Sequence, residues 1–192
     1  MRSNGLVNRR RFLLQLGVVG GALLATGSVV AFFRTRGYAI APERERSLLS
    51  LSAWQLIVVE QAARRMAASD ESADVVPTTD ETDVAGFIDA YGAKLPEDMR
   101  RDLFRFFAYL EHLAPLCLQL GSRFSRLAPA DQDRVLASLE TSDMPLLRAG
   151  FQGLKALVFM GYYRDPRTWR IAGYPGPWLN RPEGAGKERD GG

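Results

Sequence analysis

The chain of 192 residues holds one cysteine, Cys117, and one histidine, His112. A lone cysteine excludes an intramolecular disulfide and any cysteine cage for zinc or an iron–sulfur cluster. A lone histidine excludes a His-rich metal site and a haem held by two histidines of one chain. There is no C-x-x-C-H for attached haem and no G-x-G-x-x-G for a dinucleotide. Gly17, Gly20 and Gly21 lie inside an apolar run without that spacing. Sustained period-two alternation is also missing between Leu48 and Met160, so strands are not expected. What remains is an ordinary globular composition, 46% hydrophobic and 24% charged, which excludes a wholly disordered or collagen-like chain.

The net charge of +3 is unevenly divided. Residues 1–41 carry six arginines and no acid, whereas residues 42–192 carry a net charge of −3. A slightly acidic body is a poor match for a phosphate backbone, where basic excess supplies most of the affinity, so no nucleic-acid partner is expected. The basic N-terminus has its own reading. Asn8-Arg9-Arg10-Arg11-Phe12-Leu13 precedes an apolar run from Leu13 to Phe33. A basic segment before an apolar one is an export signal. Arg9, Arg10, Phe12 and Leu13 resemble the twin-arginine (Tat) pattern, with Asn8 in place of the hydroxyl residue and Leu14 in place of the lysine. At ~1.5 Å per residue the run is also long enough to cross a ~30 Å bilayer core. Cleavage near Ala39-Ile40-Ala41 and retention as an anchor therefore both stay open. Either way the sequence predicts a periplasmic, membrane-associated protein. Its divisions are a leader over 1–41, a helical domain over 42–180 and a polar, glycine-rich disordered tail over 181–192.

The domain is expected to be mainly α, a small bundle of about five helices with an aromatic, loop-rich C-terminal tail. Ser52 and Gln55 have capping-box spacing, and apolar residues come next at 54, 57, 58, 62 and 66. Ser69 to Thr79 reads as a loop. A second helix is expected over Thr82 to Ala93, ended by Gly92 and Pro96. A third starts at Glu97 and carries Leu103, Phe106, Phe107, Leu110, Leu113, Leu116 and Leu120. Pro115 should kink or split it near Leu113. Pro129 suits the first turn of a fourth helix through Glu140. Asp143 is a candidate cap for a fifth, running through Met160.

Few residues offer chemistry. His112, beside Leu110 and Leu113, reads as a satisfied structural histidine, with a Ser–His–Asp arrangement as the alternative; Cys117 reads as a small core hydrophobe, with a thiol contacting a partner as the alternative. Asp80, Glu81, Asp83 and Asp89 could suggest a cation site, but Asp80, Glu81 and Asp83 lie around an expected helix start, where acids complement the helix dipole. Arg100, Arg101 and Arg105 read as a solvated face. No catalytic, cofactor-binding or metal-binding residue is assigned. The tail is richer. Tyr162, Tyr163, Trp169, Tyr174 and Trp178 fall within 17 residues, with Arg164, Asp165, Arg167 and Arg170 among them. Tyr, Trp and Arg dominate interface hot spots. A packed lid, a protein–protein surface and a small-molecule pocket are the alternatives for this segment.

Three segments in order carry a family resemblance: Leu51-Ser52-Ala53-Trp54, then Pro77-Thr78-Thr79-Asp80 leading into Phe87-Ile88-Asp89, then Gly161-Tyr162-Tyr163-Arg164-Asp165-Pro166-Arg167-Thr168-Trp169 with Gly173-Tyr174-Pro175-Gly176-Pro177. Behind a Tat-type leader, this resembles the small subunit, subunit 3 or gamma, of gluconate 2-dehydrogenase-type membrane-bound dehydrogenases. The resemblance implies a non-catalytic subunit without a cofactor of its own. Its implied partners are a large flavoprotein of the glucose–methanol–choline type that binds FAD and oxidises a sugar or other alcohol, and a cytochrome c subunit with haem c. It further implies that the small subunit brings the folded large subunit to the Tat translocase and stabilises it. The residues expected to touch the partner are Tyr162, Tyr163, Arg164, Asp165, Trp169, Tyr174 and Trp178.

Overall fold

A computed structural model describes residues 37–67 and 76–176. The chain divides into units 1–40 and 41–192, and the helices described below lie in the second. Arg9, Arg10, Phe12, Leu13 and the apolar run to Phe33 lie outside the described residues, as does Trp178.

The fold is mainly α. In chain order the helices are α1 (Pro42–Ser47), α2 (Ala53–Met66), α3 (Val84–Lys94), α4 (Glu97–Ala108), α5 (Ala114–Cys117), α6 (Pro129–Glu140) and α7 (Pro145–Tyr163). A π-turn over Tyr109–Leu113 joins α4 to α5, and 3-10 turns occupy Phe124–Arg126 and Pro166–Thr168.

Helix α2 lies at the centre. Its capping box forms as expected: Gln55 Oε1 accepts from the Ser52 backbone N–H at 2.8 Å and the Ser52 hydroxyl at 2.9 Å. Of the expected apolar positions Trp54, Val58 and Ala62 are buried whereas Ile57 and Met66 are only partly covered, and the helix also buries Leu56, Val59 and Ala63. A helix apolar on most sides belongs inside a bundle, and α2 packs against α3, α4, α6 and α7. Each large apolar side chain buried this way contributes ~1.5–3 kcal/mol. Close helix approach relies on two glycines of α7. A Cβ on Gly161 would lie 3.0 Å from the Phe87 ring of α3, and one on Gly150 would lie 2.3 Å from the Phe106 ring of α4.

Pro115 disturbs the third expected helix earlier than Leu113. Proline cannot donate to the carbonyl four residues back, and its ring crowds that carbonyl. The chain responds by widening the preceding turn: the Ala114 N–H donates to Tyr109 O, five residues back. One surplus residue rotates the downstream side chains by about 100°. Leu116 therefore faces solvent at 67% exposure, and Cys117 is exposed rather than a core residue. Burial, together with the adjacent Cys117 thiol, pushes the Tyr109 hydroxyl up to about 12.

Helix boundaries differ in four further places. Asp83, with φ of 49°, caps α3 by accepting from the Gly86 N–H, so α3 starts at Val84. Gly92 does not end α3; it is buried inside it, where a Cβ would meet the Ser50 hydroxyl at 2.7 Å. Asp143 does not cap α7, whose N-cap is Met144. Helix α7 also runs on to Tyr163, which moves Tyr162 and Tyr163 from the tail into its last turn.

Candidate functional site

The end of α7 and the chain beyond it form one folded unit. Tyr162, 3% exposed, points inward, and its hydroxyl donates to Pro77 O at 2.9 Å. This ties α7 to the turn that precedes α3. Arg164 extends over the Phe87 ring at 5.3 Å and donates to Thr82 O at 3.3 Å. Asp165 caps the Pro166–Thr168 turn by accepting from the Arg167 N–H at 2.9 Å. The Arg167 guanidinium also grips that carboxylate, with its closest contact at 2.7 Å. This side-chain contact first, then the backbone N–H, holds Asp165 below the usual carboxylate range. Arg167 further donates to Glu81 O at 3.3 Å.

Thr168 is fully buried, and its hydroxyl donates to Asp165 O at 2.8 Å. The Trp169 indole N–H donates to Tyr163 O at 2.8 Å, and the Tyr174 ring meets the Trp169 ring edge-on at 5.2 Å. Gly173 and Gly176 both have positive φ, 62° and 103°, which lets the chain double back against Trp169. Each of these side chains thus has an intramolecular partner that explains its type.

The exposed side chains of the unit are both aromatic and basic: Arg164, Arg167 and Arg170 are exposed as well as Tyr163 and Tyr174. Tyr163 is 37% exposed and stacks on Phe159 at 5.9 Å; Met160 of α7 and Tyr174 beyond it are exposed too. Tyr162 and Thr168 form the inner side. Of the seven residues expected at a partner surface, the structure brings Tyr162, Tyr163, Arg164, Asp165, Trp169 and Tyr174 into this unit, and Tyr163 and Tyr174 present aromatic surface.

The remaining candidates have structural surroundings. Asp80 pairs with Arg64 at 2.8 Å. The Glu81 carboxylate accepts from the Thr78 N–H at 2.7 Å, and that bond leads the causes that lower its pKa. Arg101 and Arg105 make exposed pairs with Glu97 and Asp102. The His112 ring lies 6.1 Å from that of Trp54. Among the described residues no group of three or more His, Cys, Asp and Glu is placed to hold a metal ion, and no helix is long and apolar enough to cross a membrane. The cleft lined by Arg44, Glu60, Asp80 and Asp83 is too small for an organic ligand.

Two buried acids were not legible as such. Asp89, 4% exposed, accepts from the N–H groups of Leu49, Ser50 and Leu51 at 2.7, 2.8 and 2.7 Å. Burial alone would raise its pKa, but these three bonds and the Ser50 hydroxyl outweigh it and the net shift is downward. Glu111, fully buried on the π-turn, accepts from Ser125 N at 2.9 Å and Ser125 Oγ at 2.6 Å and lies 3.4 Å from Arg123 Nε. Both acids fasten neighbouring loops to helices.

A family model described as gluconate 2-dehydrogenase subunit 3 matches residues 53–176. The chain belongs to this family. The match opens at the first residue of α2 and closes at Gly176, against Trp169, so it takes in α2–α7 and the whole C-terminal unit. By its family the chain is a subunit of a multi-subunit dehydrogenase complex. No curated protein and no solved structure matches it.

Proposed function

We propose that this chain is the non-catalytic small subunit of a periplasmic, membrane-associated dehydrogenase that oxidises a sugar or another alcohol. Its partner is a large FAD-binding flavoprotein of the glucose–methanol–choline type, working with a cytochrome c subunit that carries haem c. The small subunit escorts the folded large subunit through the Tat translocase and stabilises it. The observation that carries this reading is the subunit 3 family match across α2–α7 and the C-terminal unit. The paired arginines Arg9 and Arg10 before an apolar run support the escort role. Tyr163, Tyr174 and Met160, exposed on the outer side of the C-terminal unit, support docking there, since desolvated aromatic side chains carry much of an interface's affinity.

The test is affinity purification of a C-terminally tagged copy from the envelope fraction of its own host. A yellow complex containing a large oxidoreductase is expected. A colourless chain purified alone under gentle conditions would overturn the proposal. Substituting Arg9→Lys with Arg10→Lys should leave both chains in the cytoplasm; normal export of the double variant would remove the escort role.

A further inference from the structure

Helix α1 is bound to the body differently from the other helices among the described residues. None of its residues is buried. Its polar groups mostly serve the helix itself: Arg46 pairs with Glu43 at 3.3 Å and the Ser47 hydroxyl donates to Arg44 O at 2.7 Å. One ion pair reaches the body, Arg44 Nη2 to Glu60 Oε1 of α2 at 2.6 Å. Leu48 is extended, and directly after it Leu49, Ser50 and Leu51 are clamped by Asp89. A short helix without a buried face does not hold itself in water, and a partly exposed ion pair contributes little. The clamp, in contrast, is built from a buried carboxylate and three backbone donors.

We propose that α1 is a releasable arm. The Arg44–Glu60 pair latches it to α2, and it swings away about Leu48 while the Asp89 clamp keeps the body folded. Burial raises the Glu60 carboxyl above the usual glutamate range; Arg44 of the arm and Arg64 of α2 oppose the rise, and Asp80 of the facing turn adds to it. Asp83 lines the same cleft.

The full-length chain tests this with a glutamate-specific endoprotease, which cuts after Glu43 and Glu45, alongside thermal unfolding. Glu60→Gln and Arg44→Gln should each be cut in α1 several-fold faster than the wild type at neutral pH, with an unchanged Tm. Equal rates at neutral pH would overturn the latch. Faster cleavage that merely tracks a lower Tm would overturn it too, as it would report opening of the whole domain. Arg44 is exposed on α1 but follows Glu43 directly, so the rate of its variant is read against the same substitution in a free peptide of residues 40–50, and only an acceleration beyond that control supports the latch.

Discussion

The chain is fastened at both ends of its helical body, and the two fastenings are built differently. At the N-terminal side Asp89 gathers three backbone N–H groups and the Ser50 hydroxyl, so its polar capacity is spent on holding Leu49–Leu51. At the C-terminal side the work is split by residue. Tyr162 and Thr168 face inward and hold the unit together, while Tyr163 and Tyr174 face outward. A motif such as Gly161-Tyr162-Tyr163 therefore serves two purposes. Adjacent tyrosines on a helix point about 100° apart, so one anchors the fold and its neighbour is left to meet a partner.

Breaking the N-terminal clamp should have the largest effect. Asp89→Ala leaves three backbone donors without their acceptor and should cost about 3 kcal/mol of stability, read from denaturant unfolding. The same carboxylate sets a pH dependence. Its folded pKa is lowered, so its contribution is full above the unfolded value of ~3.9 and is lost as pH falls through the folded value. Asp89→Asn should therefore flatten the acid side of the stability–pH curve; a curve parallel to that of the wild type would show that the clamp does not depend on the charge.

Tyr162→Phe removes only the hydroxyl on Pro77 O and should cost about 1 kcal/mol, a loss of a few degrees in Tm, with the complex still assembling. The outer residues should matter least to the isolated fold. Tyr163→Ala combined with Tyr174→Ala is expected to change stability by under about 1 kcal/mol, yet to release the large subunit during purification. A double variant that unfolds, or one that retains its partner, would erase the distinction between the inner and outer sides.

Much of the fold is legible in the sequence because helix signals are local. Helix α6 spans Pro129–Glu140, the expected limits, since proline at its first position fixes the start. The Ser52–Gln55 box marks the start of α2 in the same way. Features set by contacts distant in sequence are not legible. Counting a continuous α-helical period assigns Leu116 and Cys117 to the core, but the count crosses a turn that is not α-helical. Asp89 groups by composition with the acids at the start of α3, although it lies in the second turn of that helix beside Ile88. There only a partner 38–40 residues away, the Leu49–Leu51 segment, explains an aspartate. The tail's tyrosines and tryptophans stand out as a cluster in the sequence, but which of them point inward depends on α7 continuing to Tyr163.

The wide turn at Tyr109–Leu113 has a consequence for sequence length. A single residue gained or lost there leaves the chain helical on both sides and instead selects which side chains are shown to solvent. In this protein the residue is present, and Leu116 and Cys117 are on display. A one-residue gap in a related sequence at this point would mark a different exterior built on the same scaffold.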